Sequence, residues 1–512
     1  MLFQHQFSNF HITLGDYFVR PSSPVLLRVG YMVITGEKKS PELYDNFLKV
    51  TLETGQIFQF EAGLCRFYNF GGIPFSNKEK RYFNLREKNG KLGTDNLFNK
   101  FLQFKNMSLK EYENNLRGRT KSFMSYSRHY CFHDLRIPKV SKFKYVLLNK
   151  EGEKLSKEFL FESNIATSPE PKISVMGDHD VDDTGLKMVD LLSKSNSDLL
   201  VFLGDLAYEI TDFDGLKGDY YFETMEPLIT KTPFIMTPGN HEINDDFHMI
   251  AARFLVPGGL LLDSISMFSF GINDWMFTLY NFSPAIYEQS IGYQSALRQL
   301  DEHLAAKSKI LKPKWKYFVS HLPFYCSIHD EKGKSECFEN SIFMKPFEDV
   351  LTSHSVNFRI GAHVHGYERL GSIRNFIPTY EKNEAVFVIG NGCASSHHLQ
   401  ENLHSVAYKF TKKILFNIAG YSTFKKEKNS VIYHHIDEDG QIVDYTTYND
   451  YSLIEKLRRF TRIYFWPSIF LTSGLTIIFL IYIFHKIKRL ISSKKGSQKF
   501  NHKAMNKSII HL

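Results

Sequence analysis

The chain has 512 residues, more than one hydrophobic core normally serves, so two or three folded units are expected. A hydrophobic fraction of 43% and a charged fraction of 23% exclude wholesale disorder and collagen-like sequence, and five cysteines exclude a disulfide-dense mini-scaffold. The formal charge is +8, but residues 485–512 hold eight Lys/Arg and no acid, so the rest is neutral and a basic nucleic-acid-binding body is excluded.

In chain order, residues 1–165 read as an N-terminal β-sandwich. Val25 to Val29 and Phe47 to Leu52 are rich in β-branched and aromatic residues, and Phe143–Leu148 with Lys157–Phe161 reads as a hairpin around Asn149–Gly152. A charged stretch at 77–121 interrupts the strands as an insertion. Met1 to Arg20 lacks the apolar core of a signal peptide.

From Pro171 the pattern changes to short apolar strands alternating with helical periods, the signature of an α/β layer architecture over 171–450. Strands are expected at Ile173–Met176, Leu199–Leu203, Phe234–Met236, Tyr317–Val319 and Val356–Ile360. Helices are expected near Leu186–Lys194, Leu216–Ile229, Phe247–Leu255 and Tyr293–Ala306.

Residues 463–484 run for 22 positions without an acid or a base, long enough at 1.5 Å per residue to cross a hydrocarbon core of about 30 Å. Tyr464 and Trp466 stand at one end and Tyr482 at the other, ahead of the basic tail 485–512. A single transmembrane helix is expected, with the tail cytoplasmic by its excess of Lys/Arg and the body lumenal or extracellular. Without a signal peptide, a tail-anchored chain with a cytosolic body is the alternative. The acceptor sequons at Asn106 and Asn281 favour the lumenal reading.

The chemistry lies in the residues at the end of each strand. Gly177-Asp178-His179-Asp180 comes after the first, Gly204-Asp205-Leu206-Ala207-Tyr208 after the second, and Gly239-Asn240-His241-Glu242 after the third. Ser320-His321 and Gly361-Ala362-His363-Val364-His365 come after the last two. One Gly-Asp after a strand is usually only a turn. Five strands in a row ending in metal-ligand residue types are a different matter, because the carboxyl ends of strands in an α/β sheet lie together. Two Asp, one Asn, three His and one Tyr suffice for two cations sharing a carboxylate, a pair able to clamp a phosphoryl group and generate hydroxide near neutral pH. A tyrosine phenolate suits a hard ion such as ferric iron better than zinc.

In the order GD, GDLAY, GNHE, H and HVH, these motifs resemble the metallophosphoesterase superfamily, and GDxxY resembles the purple acid phosphatases within it. Gly239–Pro257, His321–Ser327 (HLPFYCS) and His365–Arg369 (HGYER) extend the resemblance, which runs from about 171 to 448. The N-terminal unit is similar to the family's fibronectin- or immunoglobulin-like sandwich. The resemblance implies a ferric site of Asp178, Asp205, Tyr208 and His365, and a site for a second divalent metal (Fe, Zn or Mn) of Asp205, Asn240, His321 and His363. It implies that His241 is catalytic, orienting the phosphate or protonating the leaving group. His329, eight residues after His321, is a further candidate phosphate contact, with an exposed loop histidine as the preferred alternative. The resemblance also implies a Cys326–Cys337 disulfide.

Where the family has Gly two positions after its first Asp, this chain has Asp180, a carboxylate that could bind a metal, alter the charge of the site or face solvent, the last being the preferred reading. The implied activity is that of an acid phosphatase, in which metal-bound hydroxide hydrolyses phosphate monoesters of small molecules or phosphoproteins. A phosphodiesterase or nucleotide pyrophosphatase on the same metals is a rival reading, and a non-catalytic membrane-anchored binding module is another.

Overall fold

The computed structural model describes residues 6–14, 18–19, 25–35, 46–61, 64–68, 127–138, 140–208, 210, 216–245, 247, 250, 253–254, 267–282, 292–329, 338–379, 384–392, 400–401, 407–449, 482–484 and 486. The predicted insertion at 77–121, Asn106, Cys337, residues 463–481 of the predicted span, most of the predicted 247–255 helix and the tail apart from Lys486 lie outside them. The chain divides into two units, 1–449 and 450–512. In the second, residues 482–484 are helical. Among the described residues no helix is long and apolar enough to cross a membrane.

In the first unit the N-terminal strands are β1 (Gln6–Leu14), β2 (Val25–Thr35), β3 (Asn46–Leu52), β4 (Ile57–Glu61), β5 (Leu64–Tyr68), β6 (Ser127–Ile137), β7 (Lys142–Asn149) and β8 (Phe159–Glu162). The predicted hairpin is present as β7–β8, with Tyr145 opposite Phe159. Strands β4-β3-β7-β8 form one sheet of a β-sandwich. In β3 burial alternates strictly along the strand, as expected when one face meets a core and the other water.

The α/β part begins with β9 (Lys172–Met176), α1 (Asp183–Lys194), β10 (Leu199–Phe202), α2 (Leu216–Ile229) and β11 (Phe234–Met236). Strands β9, β10 and β11 are parallel in that order, and all but Lys172 are buried along their length. This explains why they read as continuous apolar runs rather than alternating ones. Asp182 caps α1 by accepting the Gly185 N–H, and Met188, Val189 and Leu192 recur at helical spacing on its buried face.

Next come β12 (Met267–Ile272), β13 (Trp275–Tyr280), α3 (Tyr293–Leu311), β14 (Trp315–Ser320), α4 (Phe338–Ser353), β15 (Phe358–Gly361), β16 (Tyr367–Leu370), β17 (Ala385–Ile389) and β18 (Thr411–Leu415). They build a second sheet in the order β12-β13-β14-β15-β17-β16-β18, with Phe18–Val19 added beside β12. The last strands, β19 (Gly420–Glu427), β20 (Ser430–Asp437) and β21 (Ile442–Asn449), return antiparallel to the first sheet beside β9.

The two sheets face each other across one core. Ile173, Val175, Val201 and Phe424 from the first meet Phe277, Tyr317, Phe358 and Phe387 from the second. The contacts include Phe277 and Tyr317 stacked at 4.3 Å between centroids and Tyr317 edge-on to Phe424 at 5.4 Å. Each such ring, fully buried, stabilises the fold by about 1.5–3 kcal/mol before entropy is subtracted. Helices α1 and α2 cover the outer face of the first sheet, and α3 and α4 that of the second. The architecture is therefore a four-layer α/β sandwich.

In sequence the N-terminal region reads as a separate domain packed on the α/β part. Instead, β1, β2, β6 and β5 extend the first sheet itself, which runs β21-β20-β19-β9-β10-β11-β1-β2-β6-β5. The junction is parallel, with Thr13 of β1 opposite Phe234 of β11. Cys131 of β6 is disulfide-bonded, and Cys65 of β5 stands directly opposite it across the strand pair.

Candidate metal centre

The carboxyl ends of β9, β10, β11, β14 and β15 carry the five predicted motifs, and the fold brings them to one edge of the sandwich. Tight turns make this possible. Asp178, Asp205, Ala207, Tyr208 and His363 all take positive φ, between 42° and 69°, a conformation costing an L-residue about 1–2 kcal/mol. Backbone bonds hold these turns in place: Asp178 N–H donates to the Gly204 carbonyl (3.1 Å) and Ala207 N–H to the His179 carbonyl (2.8 Å). Strain gathered at one place and held by its surroundings is typical of a functional site.

Two groups of donors result. In the first, the Tyr208 hydroxyl lies 2.7 Å from His365 Nε2 and 3.4 Å from Asp178 Oδ1, while His365 Nε2 is 3.5 Å from that same oxygen. In the second, Asn240 Oδ1 lies 3.0 Å from His321 Nε2 and 2.8 Å from His363 Nδ1, and His321 Nε2 is 3.1 Å from Asp205 Oδ2. Asp205, His321 and His363 each offer a ligand atom within 4.8 Å of the others. Asp178 ties the two groups together, since its Oδ2 accepts the His363 N–H at 2.8 Å. All seven predicted ligands thus meet. His241 joins them: its N–H donates to Asp205 Oδ1 (2.9 Å), its Nε2 is 3.9 Å from Asp205 Oδ2, and its ring stands edge-on to Tyr208.

The electrostatics are those of a place built for positive charge. Asp178 and Asp205 are 0% and 1% exposed, and an unpaired buried carboxylate is costly. Burial pushes the Asp205 carboxyl up, but the neighbouring His321 and His241 outweigh it and hold it well below the usual range. Burial pushes His321 down, yet Asp205, Asp178 and Glu242 raise it to about 9. Burial, and then the charge of His321, push His363 down to about 4. The His321 ring is fixed by a 2.7 Å contact between its Nδ1 and the Leu203 carbonyl, which aims Nε2 at Asp205 and Asn240.

The donor set fits two cations. Its buried carboxylates, imidazole nitrogens, amide oxygen and phenol are metal-ligand types arranged in two adjoining groups. The backbone leaves no side chain in the way. A Cβ on Gly239 would stand 2.2 Å from Asp205 Oδ1, and one on Gly390 would stand 2.8 Å from Asp178 Oδ2.

The other residues singled out in the sequence fall in varied surroundings. Asp180 is not out in solvent: its side chain is only 20% exposed and lies 4.0 Å from Lys217 Nζ. His179, beside Asp178, is fully buried between the Tyr221 hydroxyl and the Gly185 carbonyl. His329 sits in the short strand Ile328–His329, paired with Gln400–Glu401. Cys326 is disulfide-bonded. Asn281 is 3% exposed at the end of β13, so burial withholds its amide from the glycan expected there.

Sequence reasoning missed the support beneath the ligands. Glu242 accepts three N–H groups, from Asp205, Leu206 and Gly239, and so ties the second motif to the third. Its place three residues after Gly239, within the third motif, is the signal the sequence offers.

Comparison with known proteins agrees with this geometry. Residues 171–367 match the family described as calcineurin-like phosphoesterase. Human acid phosphatase type 7 (Homo sapiens) is 27% identical over 224 residues, covering 40% of this chain and 49% of the relative. Purple acid phosphatase 21 of Arabidopsis thaliana is 28% identical over 229 residues, covering 43% and 49%. The chain spans about half the length of these curated relatives. Among solved structures, the purple acid phosphatase PPD1 from yellow lupin (Lupinus luteus) seeds superposes with a TM-score of 0.61 at 15% identity, covering 87% of this chain and 74% of that one, a likeness of fold. Residues 171–367 thus match the calcineurin-like phosphoesterase family, and the chain is similar to acid and purple acid phosphatases over 40–43% of its length.

Proposed function

We propose that the protein is an acid phosphatase that hydrolyses phosphate monoesters of small molecules or phosphoproteins at a dinuclear metal centre. The observation that carries this reading is the convergence of seven donor side chains from five strand ends, in two groups joined through Asp178. Asp178, Asp205, Tyr208 and His365 would hold a ferric ion, and Asp205, Asn240, His321 and His363 a divalent one (Fe, Zn or Mn). The Tyr208 phenol supports iron on one side, since a phenolate favours a hard trivalent ion. When bound, the cations activate water and neutralise charge growing on the phosphoryl oxygens.

The chain's own residues do the rest. Asp178 and Asp205 would supply fixed negative charge to hold the cations. Leu203 fixes the His321 ring through its carbonyl, and Asn240 orients both His321 and His363. His241, partly exposed beside Asp205, holds on Nε2 the proton that the departing alkoxide takes as the ester P–O bond breaks.

We also read the body as lumenal or extracellular, with residues 463–484 as a single membrane span, the basic tail cytoplasmic and Asn106 as a glycan acceptor. The disulfides at Cys131 and Cys326 support an oxidising compartment. Metal analysis of the purified chain, alongside hydrolysis of p-nitrophenyl phosphate and bis(p-nitrophenyl) phosphate, tests the function. Two metals per chain and preference for the monoester are expected. Turnover after complete metal removal sinks the proposal, and preference for the diester replaces monoesterase by diesterase.

A further inference from the structure

Asp180 and Lys217 take no part in either donor group, yet they meet beside one of its members. Lys217, in the first turn of α2, donates from Nζ to the Tyr208 carbonyl at 3.0 Å. The same Nζ lies 4.0 Å from Asp180 Oδ1, and the two side chains are only 18% and 20% exposed. Asp180 is itself locked. Its Oδ1 accepts the Val181 N–H at 2.8 Å, and its carbonyl lies so close to Gly185 that a Cβ there would approach to 1.9 Å. A fixed carboxylate thus directs a lysine onto the backbone of a residue held at φ 42°, where an L-residue needs an external partner to stay. Ile210 is anchored separately, its carbonyl accepting the Gly218 N–H at 3.2 Å.

We propose that Asp180 and Lys217 are positioning residues, an ionic brace that holds Tyr208 in the left-handed conformation presenting its phenol to His365 and Asp178. The brace acts on the Tyr208 side of the centre and not on the Asn240 side, because Lys217 grips the Tyr208 carbonyl while Glu242 independently ties Asp205 to the Asn240 turn. Its expression as a difference in ferric affinity rests on the metal assignment above; its effect on loop order does not.

The test uses the full-length chain with Lys217→Met, Lys217→Arg and Asp180→Asn. In the metal-free proteins, amide hydrogen exchange of the peptide spanning 204–208 should quicken about tenfold in K217M, with K217R regaining most of the protection and D180N falling between. That rise is the loss expected for one charge-assisted bond. Exchange in K217M equal to wild type, or in K217R as fast as in K217M, overturns the brace. In the loaded proteins, Fe(III) titrated by visible absorption should bind about tenfold more weakly to K217M, while Zn(II) affinity stays within about twofold of wild type. Equal loss at both sites overturns the one-sided action. A wild type that takes up no Fe(III) sinks the metal assignment instead, and the exchange measurement alone then decides the brace.

Discussion

The Tyr208 hydroxyl and His365 Nε2 are 2.7 Å apart although 157 residues separate them in the chain. Nothing local brings them together: one comes after β10 of the first sheet, the other leaves the second sheet after β15. Tyr208→Phe removes only the oxygen and keeps the edge-on contact with His241. The variant should fold with stability within about 1 kcal/mol of wild type. With iron in the proposed site, it should lose the phenolate-to-iron absorption and about 10²–10³-fold in kcat, the scale on which single transition-state-stabilising groups act. Visible spectra and turnover on p-nitrophenyl phosphate check both, and a coloured variant would assign the phenolate elsewhere.

Gly239 allows the third motif to approach the second. An added Cβ would lie 2.2 Å from Asp205 Oδ1 and 2.6 Å from its backbone nitrogen, neither of which can swing aside. Gly239→Ala should therefore move Asp205, costing about 1–3 kcal/mol of stability by overpacking. Binding of both metals should fall together, because Asp205 is the ligand that the proposed sites share. Metal content after dialysis and chemical denaturation measure the two effects. Retention of two metals would show that the turn relaxes without Asp205.

The features legible in the sequence and those hidden from it divide along physical lines. The strands ending at Met176, Phe202 and Met236 are buried on both faces, so each reads as an unbroken apolar run, and the ligands come within a few residues of their ends. A strand-end rule finds such residues because backbone geometry, not tertiary detail, puts them at one edge. β1, by contrast, reads in sequence only as a stretch lacking a signal peptide. Its pairing with β11 joins Thr13 to Phe234, a contact that no local pattern encodes, and the merger of the N-terminal strands with the first sheet is hidden with it. The β12–β13 hairpin around Asn273 was also not among the predicted strands. At the site, ligand types were legible because few residues bind metals. Glu242 and Lys217 act through backbone groups, and any acid or base on the surface looks the same in sequence.

Glu242 illustrates that difference. Its carboxylate is 1% exposed and accepts from Asp205, Leu206 and Gly239 at 2.6–2.9 Å. Burial, and then the Asp205 charge, push its carboxyl up to about 7. Glu242→Gln offers one carbonyl where two oxygens are used and points an NH₂ at an N–H donor. A destabilisation of about 1–3 kcal/mol is expected, the cost of leaving a buried donor unsatisfied. Urea denaturation of metal-free protein isolates this from metal binding, and an unchanged midpoint would mean that water replaces the lost acceptor.

His435 predicts how stability depends on pH. It is fully buried on β20, stacked flat on Tyr367 at 3.7 Å, with Nδ1 2.9 Å from Ser422 Oγ and Nε2 3.1 Å from Asn391 Nδ2. Burial pushes it down to about 3, against a weaker upward pull from Asp444. An unfolded histidine takes a proton near pH 6.5. Between that value and about 3 the unfolded chain therefore binds a proton that the native chain refuses. Stability from this group is complete above about pH 6.5 and is lost as pH falls, by about 1.4 kcal/mol per unit. Asp444, held low by its bonds to Arg369 and Tyr367 despite burial, weakens in the same direction, as does His133, which burial pushes down to about 4. The contribution of His435 must therefore be read as a difference between variants. His435→Gln keeps a neutral polar group in the slot but cannot be protonated. It should be less stable than wild type at neutral pH, by lost stacking and imperfect bonds, and lose less on acidification. Denaturation midpoints of the two metal-free proteins should accordingly converge between about pH 7 and pH 4. Parallel midpoints over that range would show that His435 is protonated or solvated in the native fold.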